Sequence, residues 1–195
     1  MGKTMRLAAG AGVALGLLVS DTARGAESTA DESAVVHAMQ IPRVRTDNPM
    51  LASLIRRANE ESATFRTLMS QIGASDGIVW IEQGDCGHHV RACLRHTLTA
   101  SGPNRLLRVV VGGRGSDDET MATLGHELRH AVEVLGEPGV KSSAAMFFLY
   151  SRIGSRGSEG FETETAVAAG EAIWRELRQL RRRSSTEHSR AGNTR

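Results

Sequence analysis

Apolar residues repeat at helical spacing between residues 47 and 73. Asp47-Asn48-Pro49 is typical of a helix start, because a capping side chain precedes a proline at the first helical position. Gly73 is a typical stop. The apolar residues that share one face are Leu51, Leu54, Ile55, Ala58, Phe65, Leu68, Met69 and Ile72. The pattern predicts one long amphipathic scaffold helix of about 24 residues.

After Gly73 the pattern changes to short runs rich in apolar and β-branched residues. The runs Ile78–Ile81, Arg91–Thr99 and Leu106–Val111 are separated by Gly-Asp and Ser-Gly-Pro-Asn turn signals. Short connections between strands favour antiparallel pairing. Together with the scaffold helix, these runs predict an α+β domain with a small antiparallel sheet.

A second helix is predicted from Ser116 to the stop signal at Gly136. Ser116 and Glu119 have the spacing of a capping box, and the helix is about 19 residues long. Its apolar residues form one stripe, made of Met121, Leu124, Leu128, Ala131, Val132 and Leu135. His126 and His130 lie on the opposite face, because each residue advances the helix by about 100°.

The two histidines belong to the sequence His126-Glu127-Leu128-Arg129-His130, which matches the HExxH pattern. Histidines four positions apart project from one face of a helix, where their ring nitrogens can share one Zn²⁺. Glu127 can then act as general base on the activated water. Packed core histidines would lie inside the apolar stripe. Two exposed histidines on an ordinary surface helix are the remaining alternative, which a third ligand would disfavour.

A further helix, predicted from Phe161 to about Arg183, offers the third ligand. Glu162 lies on its inward face together with Ala166, Ala169, Ile173, Leu177 and Leu180. Glu164 and Glu171 lie on the outward face as solvated charges. A carboxylate on a buried stripe is costly unless it is paired or bound to a metal, so Glu162 is the candidate third ligand. The alternative is a carboxylate stabilised by the free N–H groups of a helix start.

From Leu106 to Arg183 the chain resembles the thermolysin-type gluzincin branch of zinc metallopeptidases. The resemblance lies in a strand, the HExxH helix, a connection and a later helix that bears a glutamate. It implies a zincin-like single domain with an HExxH active-site helix and a C-terminal glutamate helix. It also implies that His126, His130 and Glu162 bind Zn²⁺ and that Glu127 is the catalytic base.

The resemblance further implies a small metallopeptidase that hydrolyses a peptide or protein substrate. The strand Leu106–Val111 would align that substrate by edge pairing. The family often has an acid four residues after the glutamate ligand, where this chain has Ala166. Glu133, on the HExxH helix, is either a partner of a histidine or an exposed charge. The candidates for stabilising the transition state are Tyr150, His88, His89 and Arg152.

There are two alternatives to a zinc enzyme. A binding protein on the same scaffold would retain zinc for stability or interaction, with little turnover. A protein without a metal would require the three residues to be placed by coincidence. Glu127 favours the enzyme, because a structural zinc site closes its fourth position instead of keeping a base beside it.

The first residues predict export. Residues 1–25 have the order of a secretory signal peptide, with a positive start, an apolar run from Leu7 to Val19 and small residues before a cleavage site. The run is shorter than the roughly 20 residues of a membrane span, so we expect no stable span after cleavage, with an uncleaved anchor as the alternative. We therefore expect a secreted or periplasmic protein with a polar leader at 26–46 and a zincin-like domain at 47–183.

Cys86 and Cys93 are seven positions apart. In an exported protein such a pair predicts a disulfide that closes a small loop. A metal site formed with His88 and His89, or two free thiols, are the alternatives. His96, in the second predicted strand, is expected to be a surface or packed histidine rather than a ligand.

The charge pattern gives no support for nucleic-acid binding. Residues 1–25 hold three of the 24 basic and one of the 22 acidic residues, so the remainder balances at 21 of each. Only 4% of the residues are aromatic, which leaves little for base stacking. The segment 184–195 has no apolar periodicity and is expected to be a disordered basic tail. Nothing in the pattern indicates an oligomeric state.

Overall fold

Five helices and seven strands form the part of the chain that the computed structural model describes, residues 42–87, 90–112, 115–157 and 160–192. The predicted signal peptide (1–25) and the polar leader up to residue 41 lie outside the described residues. In chain order the elements are β1 (Val44–Arg45), α1 (Pro49–Glu61), α2 (Ala63–Gly73), β2 (Gly77–Gln83), β3 (Ala92–Leu94), β4 (Thr99–Ser101), β5 (Asn104–Val111), α3 (Asp117–Leu135), α4 (Ser143–Ile153), β6 (Ser155–Gly157), β7 (Gly160–Glu162) and α5 (Glu164–Gly192). The predicted α+β class, in a single domain, is confirmed. None of the described helices is long and apolar enough to span a membrane.

β5 is the centre of a five-stranded mixed sheet. It pairs in parallel with β2, from Arg105 opposite Gly77 to Val111 opposite Gln83, and β1 continues the parallel part beyond β2. On its other side β5 pairs antiparallel with β3 and β4. The predicted antiparallel pairing is therefore confirmed for β3 and β4 with β5 and wrong for β2, which pairs with β5 in parallel. The chain between β2 and β5 folds back as β3 and β4, so the strand that follows β2 in sequence is not its partner in space.

The apolar run in β5 explains the central position of this strand. Its buried apolar residues are Leu107, Val109 and Val111 on one face of the sheet and Val110 on the other, where Arg108 is exposed. With β2 on one side and β3 and β4 on the other, β5 presents no edge to a substrate. The expected edge pairing at Leu106–Val111 is thus wrong. The edge strand on the side of α3 is β3.

The predicted scaffold helix is two helices that meet at Ser62. Asn48 caps α1 as predicted, and α2 ends at Gly73. Ser62 is extended (φ −123°, ψ 122°) and fully buried, and its hydroxyl accepts a hydrogen bond from the N–H of Phe65. The same hydroxyl donates to Glu176 on α5 at 2.5 Å. The apolar face continues from α1 to α2 across the break at Ser62. Because of this continuity, the periodicity alone predicted a single helix.

α5 continues to Gly192, beyond its predicted end near Arg183. The hydroxyls of Ser184, Ser185 and Thr186 donate to carbonyl oxygens one turn earlier, at 2.9–3.1 Å. No proline or glycine interrupts the segment before Gly192. Residues 184–192, which were predicted to belong to a disordered tail, are thus helical, and the last three residues lie outside the described part of the chain.

A buried arginine in β5 holds the C-terminal end of α3. Arg105, which is 4% exposed, forms an ion pair with Asp76 in which its Nη2 lies 2.7 Å from Oδ1. It also donates, at 2.7–3.1 Å, to the carbonyl oxygens of Val134, Leu135, Glu137 and Val140. The last carbonyls of a helix have no intrahelical donor, and a cation suits the negative end of the helix dipole. Arg105 thus fixes α3 to the sheet.

We expect Arg105→Met to lower the free energy of unfolding by about 3 kcal/mol, because the variant leaves buried carbonyls without donors. The matched control is Arg108→Met in the same strand, whose ion pair with Glu82 is exposed and should contribute less than about 1 kcal/mol. Denaturant titration of both variants and the wild type measures the two losses. Equal losses would contradict the role given to Arg105.

Candidate metal centre

The helix that carries the HExxH sequence forms as predicted. The hydroxyl of Ser116 accepts from the N–H of Glu119, whose carboxylate accepts in turn from the N–H of Ser116, so the capping box is present. α3 ends at Leu135, with Gly136 as its C-cap. The apolar stripe is buried, through Met121, Leu124, Leu128, Ala131, Val134 and Leu135. His126 and His130 lie on the other side of the helix, which faces α5 and a cleft.

Two glycines bring α3 and α5 into close contact. A Cβ atom at Gly125 would come within 2.0 Å of the Ile173 side chain, and one at Gly170 would lie 3.2 Å from Cβ of His126. Glycine has no Cβ and so lets the two backbones approach this closely. The approach brings the residues at the start of α5 next to His126 and His130.

Three side chains converge beside this contact. Nε2 of His126 lies 3.2 Å from Oε1 of Glu162, and Nε2 of His130 lies 3.4 Å from the same oxygen. The three donor atoms are all within 4.8 Å of one another. Ligand atoms about 2.0–2.1 Å from a tetrahedral zinc ion are about 3.3–3.4 Å apart. The two imidazole nitrogens and the carboxylate oxygen therefore form a group that could hold a metal ion.

Glu162 joins the group from a strand and not from a helix. It is the last residue of β7, two positions before α5 begins, and its side chain is 45% exposed. The prediction of a glutamate helix with a buried carboxylate is wrong on both points. The N–H of Thr163 donates to Oε1 of Glu162 at 3.0 Å and holds the carboxylate over α3. Glu164 and Glu171 are exposed, as expected.

A carboxylate on the same helix orients His130. Oε2 of Glu133 lies 3.1 Å from Nδ1 of His130, and Oε1 accepts hydrogen bonds from the hydroxyls of Thr163, at 2.7 Å, and Thr165. With its Nδ1 bound to Glu133, the ring of His130 turns Nε2 toward Glu162. Burial would raise the pKa of Glu133, but the hydrogen bonds outweigh it and hold the pKa below its usual value. Glu133 is thus the partner of a histidine and not an exposed charge.

The two histidines differ in pKa. Burial lowers the pKa of His126, which favours the neutral imidazole that binds metals. Burial acts in the same direction on His130, but the hydrogen bond with Glu133 and the charge of Glu127 outweigh it, so the pKa of His130 is raised. The Tyr150 hydroxyl donates to the backbone oxygen of His130 at 2.8 Å and fixes this turn of α3.

Glu127 lies beside the three donor atoms without joining them. Its residue is 7% exposed, and its Oε2 accepts a hydrogen bond from the N–H of Leu94 in β3 at 2.6 Å. Its Oε1 lies 4.0 Å from Nε2 of His126. Burial raises the pKa of Glu127 to about 7. A carboxylate with such a pKa can accept a proton near neutral pH and release it again.

A cleft of about 740 Å³ opens over these residues. One wall is β3 and its flanking residues from Val90 to His96, and the opposite wall is the first half of α5 with Val167 and Trp174. The predicted disulfide between Cys86 and Cys93 is present, with Cα atoms 5.9 Å apart. It joins the loop after β2 to β3 and so supports the wall that contacts Glu127.

The candidates for stabilising a transition state are placed differently. The hydroxyl of Tyr150 is engaged by the backbone of His130, and Arg152 pairs with Glu137 on the surface at 3.6 Å. His88 and His89 lie outside the described residues. His96, which was expected to be a surface or packed histidine and not a ligand, lines the cleft with its ring 5.8 Å from that of Tyr150. Desolvation and the neighbouring His130 lower the pKa of His96. A histidine in an irregular segment after a strand carries no periodic signal that could have identified it.

The chemistry of the cleft is the basis for assigning a function. No protein-family model matches the chain, and no curated protein or solved structure is significantly similar to it. The assignment of a function therefore rests on the three donor atoms, the distances between them and the neighbouring carboxylate of Glu127.

Replacing Glu133 by alanine should weaken the binding of a divalent transition-metal ion by about 10- to 100-fold, because His130 loses the partner that orients its ring. Competition with a chromophoric chelator measures the affinity. Glu137→Ala is the matched control, since Glu137 is an exposed acid next to the same helix and pairs only with Arg152 among the described ion pairs. If Glu133→Ala and Glu137→Ala bind the ion equally well, the orienting role is wrong.

Proposed function

We propose that the protein is an exported zinc-dependent hydrolase, a small metallopeptidase in which His126, His130 and Glu162 bind Zn²⁺. The observation that carries the proposal is the separation of the three donor atoms, with two pairs at 3.2 and 3.4 Å, beside a carboxylate that is not part of the group. Two imidazoles and one carboxylate are one of the donor sets of catalytic zinc sites, which keep a fourth position open. The resemblance of the sequence to gluzincins supports the same assignment.

Bound zinc would polarise a substrate carbonyl and lower the pKa of water. The protein side chains would handle the proton. Oε2 of Glu127 is held by Leu94, so Oε1, on the side of His126, is the atom that accepts a proton from water and later returns it to the leaving nitrogen. Burial, which raises the pKa of Glu127, favours its accepting the proton. The hydrogen bond from Leu94 holds the carboxylate of Glu127 in place beside the three donor atoms. Glu127 itself is not one of the donors.

The edge of β3 supports an extended polypeptide as substrate. The carbonyl of Arg91 accepts from Gly112, and the N–H of Arg95 donates to Arg108, so along residues 91–95 the backbone groups of the odd-numbered residues face β5. The backbone groups of Ala92 and Leu94 therefore face the cleft. Leu94 gives its N–H to Glu127. A strand added along this edge would lie beside the proposed zinc and the proposed base.

The metal content of the purified protein tests the proposed ligands. The wild type should contain about one zinc ion per chain after dialysis against trace zinc, and His130→Ala and Glu162→Ala should contain far less, because each variant leaves two protein ligands. Glu164→Ala is the control, because Glu164 is an exposed acid two positions from Glu162. Elemental analysis by mass spectrometry gives the content. Wild-type zinc in both ligand variants would show that the site is wrongly assigned.

Replacing Glu127 by glutamine should reduce peptide cleavage by at least about 100-fold while zinc content is kept, because the amide cannot accept the proton. Cleavage of an unfolded protein substrate, followed by mass spectrometry, measures the rate. Glu171→Gln is the matched control, since Glu171 is a cleft carboxylate on the opposite wall. Equal rates for Glu127→Gln and the wild type would contradict the general-base role. A zinc-loaded wild type without cleavage would indicate a binding protein instead.

A further inference from the structure

The two ends of the cleft differ in character. At one end the rings of His96 and Phe161, which both line the cleft, lie 5.7 Å apart. At the other end the guanidinium of Arg91 pairs with the carboxylate of Glu119, near the start of α3, at 2.9 Å. Aromatic side chains therefore mark one end of the cleft, and charged side chains mark the other.

α5 leads from the metal centre past the charged end. A Cβ atom at Gly170 would lie 3.2 Å from that of His126, whereas Arg181, further along α5, pairs with Asp118 at 3.0 Å. Because Asp118 lies in the first turn of α3, the two helices run in opposite directions. The C-terminal half of α5 therefore continues beyond the end of the cleft that Arg91 marks.

A second cavity, of about 750 Å³, adjoins the cleft at Trp174, which lines both. Residues three or four positions apart share one face of a helix, and the cleft and the second cavity follow each other along such a face of α5. The residues of this face are Val167, Glu171, Trp174, Arg178 and Arg182. We call the second cavity, which Trp174, Arg178, Arg181 and Arg182 line, the basic pocket.

The positive charge of the basic pocket is only partly neutralised. The three acids in the first turn of α3 each pair with an arginine from elsewhere in the chain. The pairs are Asp117 with Arg57, Asp118 with Arg181 and Glu119 with Arg91, at 2.6–3.0 Å. Arg178 and Arg182 are exposed, and neither forms an ion pair within the part of the chain that the structure describes. Two positive charges of the pocket are therefore left for an anionic ligand.

Trp174 holds one of these arginines in place. Its ring is partly buried against the core, and the guanidinium of Arg178 lies over it, 5.4 Å from the ring centre. A cation over an aromatic face is attracted to the ring. The planar guanidinium group carries its N–H donors at its edge, where a carboxylate can accept two of them. The position of Arg178 therefore suits the binding of a carboxylate at the mouth of the cleft.

The distance between the metal centre and the basic pocket can be expressed in residues of an extended chain. A helix rises 1.5 Å per residue, so Arg178 and Arg182 lie about 12 and 18 Å beyond Gly170 along α5. A strand advances about 3.3 Å per residue, so these distances correspond to about four and about five to six residues. Residues closer to the metal centre would meet Glu171, a carboxylate that lines the cleft before Trp174.

We propose that the basic pocket binds acidic side chains of an extended polypeptide, about four to six residues from the bond that lies at the metal centre. The carboxylates of glutamate or aspartate accept hydrogen bonds from Arg178 and Arg182. The proposal rests on the proposed peptidase function for the meaning of that position, but binding alone can test it. The pocket would then select polypeptides with an acidic cluster at a set distance from the cleaved bond.

Peptide binding is measured with the Glu127→Gln variant in the presence of zinc, so that peptides are not consumed. Two labelled unstructured peptides share a central sequence and carry either glutamate or glutamine about four to six residues from the centre, on both sides. Fluorescence anisotropy should show about three- to tenfold tighter binding of the glutamate peptide at low ionic strength, as expected for two exposed ion pairs. The preference should largely disappear in about 1 M salt, where the screening length falls to about 3 Å.

The additional change Arg178→Gln with Arg182→Gln should remove the preference for the glutamate peptide. Arg175→Gln with Arg183→Gln is the matched control, because it removes the same charge from exposed positions of α5 that line neither cavity. This control should keep most of the preference. A third peptide, with its glutamates next to the central residue, should bind no more tightly than the glutamine peptide.

Equal binding of the glutamate and glutamine peptides would overturn the proposal. So would an equal loss of preference in the two double variants, which would show a general effect of net charge. Binding to phosphatidylglycerol vesicles without any peptide preference, if only the change at Arg178 and Arg182 abolishes it, would assign the pocket to a membrane surface instead. The proposed function is decided separately, by the zinc content and by cleavage with Glu127 intact.

Discussion

The close contact between α3 and α5 is the constraint on which the centre depends. Glycine inside a helix costs about 1 kcal/mol relative to alanine, and α3 and α5 each accept that cost at the contact, through Gly125 and Gly170. In return, the two helices lie closer together than Cβ atoms at these two positions would allow. It lets Glu162, which belongs to neither helix, reach the nitrogens of His126 and His130. A wider spacing would leave two histidines without a third donor.

The polar groups of the centre are buried only where another element compensates for the loss of water. β3 supplies an N–H to Glu127, and Thr163 and Thr165, at the start of α5, supply hydroxyls to Glu133, which in turn bonds His130. Tyr150, from α4, bonds the backbone of His130. A buried polar group without a partner is costly, so these contacts make the position of α3 dependent on three neighbours at once. The centre is therefore assembled by the tertiary fold.

The two ends of the cleft follow from the same arrangement. α3 and β3 both run from the ion pair of Arg91 and Glu119 toward the aromatic cluster around Phe161. Arg105 holds the far end of α3 to the sheet, and the Cys86–Cys93 disulfide holds β3 from outside. α3 and β3, which is one wall of the cleft, are thus attached at defined points. A cleft with fixed walls suits the recognition of an extended chain better than one formed by loops alone.

The sequence by itself determined the local structure around the HExxH residues. Periodicity and capping residues predicted the bounds of α3 and the direction of His126 and His130, because these depend on neighbours within a few positions. It also singled out Glu162, although through a helix that begins at Glu164, three residues later than expected. Only the tertiary structure decided the parallel pairing of β5, the break at Ser62 and the caps made by Arg105. These depend on contacts such as the one between Ser62 and α5, 114 positions apart, and such contacts leave no pattern in the local sequence.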